Sequence, residues 1–313
     1  MNERSDEPAY SDDQLVGVNV GGTTTSVALG TPEGTVLERI AWPTQARDGE
    51  ALFAAIVAAL EEIAPRAAAV GVAVGGPMDA RTGTVIGPPH LSGLHGFPLA
   101  SRLRERIAVP VAVHHDAAAC ALAEYRWGAD RGVSGLAYLT CGTGFGAGIV
   151  IDGRARYGSR GASSELGHVR YRADGPDVFG KPGSFESYGA ASVLPKLARR
   201  RDPSFDAANG AEVAARAARG DAVARAAIDD NADAVGAACA LLADLLVLDV
   251  IVLGSLATYL GEPWIARVRA TFASEALPER VASCTLRAVS LANLQDLSGL
   301  AAALDAQSER GER

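Results

Sequence analysis

The stretch Leu15-Val16-Gly17-Val18-Asn19-Val20-Gly21-Gly22-Thr23-Thr24 reads as an apolar strand running into a turn of glycine and threonine. A second strand pattern, Ser26 to Leu29, follows at once. The arrangement returns at Leu136-Ala137-Tyr138-Leu139-Thr140, then Gly142-Thr143-Gly144-Phe145-Gly146, then Ala147 to Ile151. A turn lacking Cβ atoms lets backbone N–H groups and threonine hydroxyls approach an anion. Two such turns at equivalent places in two halves point to a clamp for the phosphates of one nucleotide. An isolated acid, Asp116, lies between them.

Outward from these turns, the first half continues with a strand pattern at Thr35–Ala41, an alanine-rich helix at Glu50–Ile63 and a buried-looking strand at Ala68–Val74. After a turn-rich stretch come a short helix at Leu99–Ile107, a strand at Val109–His114 and a helix from Asp116 to Trp127. In the second half a long loop, Gly153–Gly183, precedes helices at Ala190–Ala198, Ala211–Ala218 and Ala222–Leu246. Strands at Val250–Leu253 and Thr285–Val289, a helix after Pro263 and a last helix at Gln295–Ala306 complete it. A β-meander followed by αβ units, occurring twice, predicts a duplicated α/β architecture of two domains with an interdomain cleft, where ligands of such folds bind. The expected division is a flexible tail over 1–14, an N-terminal α/β domain over 15–115 completed by the C-terminal helix at 295–308, and a larger domain over 116–294.

The chain has 313 residues, 48% hydrophobic and 21% charged, as an ordinary soluble globular protein has. Its net charge of −8 argues against a nucleic-acid surface, which needs clustered Lys and Arg. The basic run Lys196-Leu197-Ala198-Arg199-Arg200-Arg201 reads as a solvated helix end. The four cysteines, Cys120, Cys141, Cys239 and Cys284, are far apart and contain no CxxC pair, which suits reduced thiols in a cytoplasm. Neither a signal peptide nor a membrane-spanning run is expected.

The chain resembles the sugar kinases of the ROK family (repressor, open reading frame, kinase), within the actin-like, hexokinase-like ATPase fold (ribonuclease H-like). The resemblance runs from about Val16 to Leu304 and rests on five stretches in this order. They are Val18-Asn19-Val20-Gly21-Gly22-Thr23, Gly71 to Asp79, His115-Asp116-Ala117-Ala118-Ala119, Cys141 to Val150, and Glu165-Leu166-Gly167-His168. It implies ATP-dependent transfer of the γ-phosphoryl group to a hexose hydroxyl. Asp116 matches the acid that serves as general base; a plainer reading is that it caps the helix it begins, and both can hold. Gly76, His90, His115, Glu165, His168 and Glu186 match positions on the sugar side, with the plainer alternative that Glu165 and Glu186 cap or ion-pair within the loop. Gly21, Gly22, Thr23, Thr24, Gly142, Thr143, Gly144, Gly254 and Ser255 match the ATP-binding positions.

Four departures from the family pattern matter. Where the family carries three zinc-binding cysteines that join His168, this chain has Asp177, Phe179 and Ser184, so no structural zinc is expected. The loop is expected to be held by packing of Phe179 and Phe185, stiffened by Lys181 and Pro182. Asn19 stands where an Asp helps hold Mg²⁺ through water, which should weaken metal binding without abolishing it. His115 and His90 replace two Asn residues beside the sugar, a change that marks a sugar other than plain glucose, with an amino-hexose of the glucosamine or kanosamine type worth naming; the plainer reading is that either His is a satisfied surface side chain. Gly254-Ser255-Leu256 replaces a triple glycine on the adenine side. The expectation is thus a cytoplasmic, homodimeric hexose or amino-hexose 6-kinase using ATP and Mg²⁺, with no nucleic-acid or membrane partner. The alternative is a catalytically weakened ROK protein acting as a sugar-binding sensor. A family repressor is not expected, because the fourteen residues ahead of the first strand are too few for a helix-turn-helix.

Overall fold

The computed structural model describes residues 13–63 and 67–311, which form two compact units. Unit 1 comprises residues up to Ala119, Ser159–Ala162 and Asn293 onward; unit 2 comprises Cys120–Gly158 and Ser163–Ala292. Of the expected N-terminal tail, residues 1–12 lie outside the described residues. Gln14 is buried, and its carbonyl accepts the Ala68 N–H at 2.8 Å.

Unit 1 holds a five-stranded sheet of β1 (Leu15–Val20), β2 (Thr24–Gly30), β3 (Val36–Pro43), β4 (Ala69–Val74) and β5 (Val111–His115), in the order β3-β2-β1-β4-β5. β1, β2 and β3 form an antiparallel meander, while β1, β4 and β5 run parallel. Successive side chains of a strand face opposite sides. Val16, Val18, Val20, Val70, Val72 and Val74 therefore join one core with Leu52, Phe53, Ile56, Leu60 and Ile63 of the helix Gly49–Ile63. Those helix positions recur at the three- and four-residue spacing of one buried face.

The other face of the sheet is nearly bare, and the C-terminal helix (Leu294–Gly311) covers it at backbone distance. A Cβ on Gly17 would meet Leu300 N at 2.5 Å and Gly299 C at 2.7 Å; one on Gly71 would collide with Ala303 N and Gly299 O. Leu300, Ala301, Ala302 and Ala303 are fully buried there. Asp296 fixes the start of the helix, accepting from Ser26 Oγ and Arg39 Nε, both at 2.8 Å.

Unit 2 repeats the plan. β6 (Gly135–Cys141), β7 (Phe145–Ile151), β8 (Arg154–Ala155), β9 (Val250–Leu253) and β10 (Thr285–Ala288) form a sheet in the order β8-β7-β6-β9-β10. The first three are antiparallel, and β6, β9 and β10 are parallel. The strand orders of the two sheets correspond one for one, and so do the two glycine turns, between β1 and β2 and between β6 and β7. Helices Ala222–Leu246 and Glu262–Glu275 pack closely where a Cβ on Gly236 would meet Thr271 Cβ and Val268 O, both at 2.6 Å. Asn231, fully buried, donates to Tyr188 O at 2.7 Å and accepts from Trp264 Nε1 at 2.9 Å, so the one amide inside this core is satisfied.

Most predicted elements form within two or three residues of their expected ends. The helix expected at Ala190–Ala198 instead spans Leu194–Arg201, with Pro195 in its first turn where a missing N–H costs no hydrogen bond. Its arginines are ion-paired as well as solvated: Arg200 with Asp174 at 2.7 Å and Arg201 with Asp230 at 2.8 Å. Helices Leu256–Leu260 and Pro278–Ser283 had no expectation, being too short for a period to show. No helix of the described residues is long and apolar enough to cross a membrane.

The glycine contact yields a test. Gly71→Ala should destabilise the protein on the order of 3 kcal/mol, because the new methyl meets helix backbone that cannot rotate away. For a chain of this size that lowers the melting temperature by roughly 4–6 °C. Gly87→Ala, whose Cβ would meet nothing within 4 Å, should leave it within about 2 °C. Calorimetry of the two variants checks both values.

Candidate active site

In unit 1 the parallel strands end in register. Val20 pairs with Val74, and Val74 with His115, so the β1–β2 turn, the Gly75-Gly76-Pro77 turn after β4 and Asp116 after β5 leave the sheet along one row. Strand spacing of about 4.8 Å puts the outer two roughly 10 Å apart. The carboxyl ends of parallel strands are where α/β sheets place their chemistry.

Gly22, Thr23 and Thr24 are exposed, and Gly21 is half-buried. Thr44 grips the turn from behind: its Oγ1 donates to Gly21 O at 2.7 Å, its N–H to Thr23 O at 2.9 Å, and its hydroxyl meets Thr25 Oγ1 at 2.8 Å. The carbonyl oxygens of Gly21 and Thr23, which would repel a phosphate, are thus committed elsewhere, and the Gly21 N–H closes the turn on Thr24 O at 3.0 Å. Asn19, half-buried in β1, is level with Ala73 and Ser26. His90 is exposed and borders the turn, its Cβ 3.1 Å from where a Cβ on Gly22 would stand.

Asp116 opens the helix Asp116–Trp127. Its Oδ1 accepts the Ala117 N–H at 2.6 Å and lies 3.3 Å from His115 Nδ1, while the side chain stays 47% exposed. The imidazole of His115 lies against Gly76, where a Cβ would meet its Cδ2 at 2.5 Å. Gly76 is joined to Pro77 by a cis peptide bond. Asp116, His115 and Gly76 are therefore neighbours, with the acid open to solvent and the imidazole largely covered.

The turn of unit 2 is built alike. Gly142 O accepts from Ala191 N at 2.8 Å, Thr143 O from Ser192 Oγ at 2.6 Å, and Gly144 O from Gly142 N at 3.1 Å. Ser255, exposed and in a positive-φ conformation, stands beside this turn, its Oγ 3.3 Å from where a Cβ on Gly142 would lie. Gly254 is buried over the ring of Tyr138, whose hydroxyl fills the space of any side chain there.

Glu165, His168 and Glu186 gather around Gly167. A Cβ there would meet Glu186 Cβ at 3.3 Å, and His168 N donates to Glu165 O at 3.0 Å. Glu186 Oε1 lies 2.9 Å from where a Cβ on Gly144 would stand, tying this group to the glycine turn. The Glu165 side chain makes no capping bond, and neither glutamate pairs with a cation among the described residues. Burial holds the Glu186 carboxyl above the usual carboxylate range, the nearby Glu165 adds to that, and the Phe145 N–H opposes it.

The stretch 177–186 does not fit a zinc ion. Asp177 Oδ1 accepts from Gly180 N at 3.0 Å, the buried Ser184 Oγ accepts from Ser187 N at 3.2 Å, and Phe179 carries no metal donor. Among the described residues no three His, Cys, Asp or Glu side chains form a metal-binding group. Within the expected loop, Asp177–Val178 and Lys181–Pro182 form a hairpin whose two-residue turn, Phe179-Gly180, has positive φ at both positions. The expectation that Phe179 packs the loop is corrected: the left-handed turn carries its side chain outward, and it is 63% exposed. Phe185 does pack, stacked on Tyr171 at 5.2 Å, with Tyr188 edge-on to Tyr171 at 5.4 Å. Sequence reading missed Thr44 and Ser192 and saw in Lys181 only a stiffening of the loop, because their bonds join residues distant along the chain.

The ROK family profile matches residues 15–307, nearly the whole chain. The chain belongs to the ROK family. It is 30% identical over 305 residues to a glucokinase of Halalkalibacterium halodurans, covering 90% of this chain and 92% of that one. A ROK hexokinase structure from Thermus thermophilus superposes with a TM-score of 0.83 at 28% identity, covering 96% of this chain and all of the other. A ROK glucokinase from Streptomyces griseus, solved in complex with glucose and AMPPNP, gives a TM-score of 0.77 at 27% identity, over 93% and 99% of the two chains. This ROK protein therefore has the duplicated actin-like, hexokinase-like ATPase fold.

The raised Glu186 carboxyl predicts a pH-dependent stability. Its folded-state pKa lies above the unfolded one, so this group favours folding below the unfolded value and loses that contribution as pH rises through the folded value. Glu186→Gln should therefore melt higher than the parent at pH 8, with the gap closing towards pH 4. Melting curves across that range check the sign.

Proposed function

We propose that this chain is an ATP-dependent sugar kinase that phosphorylates the 6-hydroxyl of a hexose or amino-hexose. The observation that carries the reading is the shared construction of the two glycine turns. Each presents an exposed threonine while two of its carbonyls are held, by Thr44 in one unit and by Ala191 and Ser192 in the other. Carbonyls drawn away from a glycine and threonine turn suit an anionic phosphate. The ROK membership and the glucokinase relative support the same class of reaction.

ATP, when bound, supplies the γ-phosphoryl group and brings its metal ion with the phosphates. Gly21 to Thr24 and Gly142 to Gly144 steady the phosphate charge through N–H and hydroxyl groups. Gly254 and Ser255 line the adenine side. Asn19 offers one neutral amide, which suits an outer contact to a hydrated Mg²⁺ and not a direct charged ligand. Glu165, His168 and Glu186 orient the sugar through its hydroxyls, and Gly76, His90 and His115 complete its surroundings. Asp116 accepts the proton from the attacking hydroxyl. Two neighbouring carboxylates without a cationic partner, Glu165 and Glu186, also favour an amino group on the sugar over plain glucose.

Asp116→Asn should lower kcat by about 10²–10⁴-fold, the usual contribution of a general base, with the sugar KM changed by no more than about threefold. Coupled ADP release across glucose, mannose, glucosamine, N-acetylated sugars and kanosamine, with phosphorus NMR of the product, tests acceptor and position together. Undiminished turnover in Asp116→Asn removes the base assignment. The neutral Asn19 favours a second reading, a weakened sensor; sugar-dependent thermal stabilisation with no ADP release from any acceptor would select it.

A further inference from the structure

A hairpin lysine joins two segments of unit 2 that the sequence keeps apart. Lys181 Nζ donates a short hydrogen bond to the carbonyl oxygen of His168. His168 closes a one-turn 3₁₀ helix, Leu166–His168, whose start is anchored where Ser164 Oγ donates to Ala147 O of β7 at 2.8 Å. The turn carrying Glu165 and His168 is thus held at one end by the sheet and at the other by Lys181 together with the Phe185 N–H, which donates to Val169 O at 2.9 Å.

The hairpin bearing Lys181 is itself braced. Lys196 Nζ, from the helix Leu194–Arg201, donates to Asp177 O at 3.1 Å. Arg170 Nη1 donates to Pro182 O at 2.9 Å and reaches Arg172 O and Ala173 O at 3.4 and 3.5 Å. Asp177 Oδ1 closes the hairpin turn on Gly180 N. The hairpin therefore acts as a strut between a helix of the core and the Glu165–His168 turn. A charged donor on a carbonyl makes a strong hydrogen bond, and the strut contains no metal-binding set of side chains.

We propose that Lys181 is a positioning residue for sugar recognition: its bond to the His168 carbonyl sets the Glu165–His168 turn against Glu186 without a metal ion. The inference rests on the reading that Glu165, His168 and Glu186 hold the sugar. Lys181 does not itself touch substrate. Its side chain works through the backbone of the turn, so its loss loosens the placement of two polar groups without removing either. A displacement of about 1 Å in such groups is enough to cost an order of magnitude or more. The phosphate turns have their own anchors, Thr44, Ala191 and Ser192, none of which the hairpin supplies.

The experiment compares Lys181→Ala, Lys181→Arg and Glu186→Gln with the parent, measuring KM for sugar, KM for ATP, kcat and melting temperature. Lys181→Ala should raise the sugar KM about tenfold or more, with the ATP KM within about twofold and the melting temperature within about 2 °C. Lys181→Arg, which keeps a cationic donor, should recover most of the loss. Treating the parent with 1,10-phenanthroline should leave the sugar KM unchanged. An unaltered sugar KM in Lys181→Ala overturns the proposal, as does equal loss towards both substrates or a parent that phenanthroline impairs. The two readings fail separately: a raised sugar KM in Glu186→Gln beside an unchanged one in Lys181→Ala rejects the strut alone. An unchanged sugar KM in Glu186→Gln rejects the sugar-side reading itself.

Discussion

Backbone lies against backbone where the C-terminal helix crosses β1 and β4, and the rest of unit 1 follows from that contact. Gly17, Gly71 and Gly299 have no side chain because none would fit; Ala302 and Ala303 continue the small-residue seam along the helix. An approach this close sets how far the helix can slide, and the Asp296 contacts with Ser26 and Arg39 set where it starts. A seated helix leaves the valine face of the sheet to the helix Gly49–Ile63, so both faces are covered and β4 can be wholly apolar. The parallel strands then end level with one another, and that register is what carries Gly21, Gly76 and Asp116 to a common edge.

The second unit holds its matching glycine turn from another part of the fold. Unit 1 holds its turn with the hydroxyl and N–H of a single threonine that follows β3, whereas unit 2 takes the N–H from Ala191 and the hydroxyl from Ser192. Both solutions draw two carbonyl oxygens into hydrogen bonds. The agreement is one of donor type, one N–H and one hydroxyl, supplied from different places in the fold. It accounts for a duplication plain in strand order and faint in sequence.

The fold was largely legible from the chain. Strands such as Ala69–Val74 and Val250–Leu253 are short apolar runs bounded by turn residues, and the helix Ala222–Leu246 begins at Asp221, whose carboxylate caps it through Val223 N and Ala224 N. What escaped was the interior of the expected loop 153–183. There the hairpin strands are two residues long, too short for any alternation, and Phe179 looks like a core residue until the turn's positive φ points it outward. Resemblance supplied a set of candidate residues but not their contacts: the nearness of Glu186 to Gly144, of His90 to Gly22 and of Ser255 to Gly142 appears only in the folded chain.

By itself the sequence determined the order and type of the main elements and the glycine turns, because these depend on local periodicity and on the steric freedom of glycine. It also determined that residues 177–186 contain no cysteine, since ligand chemistry belongs to residue type. The tertiary structure decided what braces that stretch, which carbonyls of the turns are held back, and that burial raises the Glu186 carboxyl. Those outcomes depend on burial and on bonds between residues far apart in the chain, and distance in space is set only once the sheets and helices have packed.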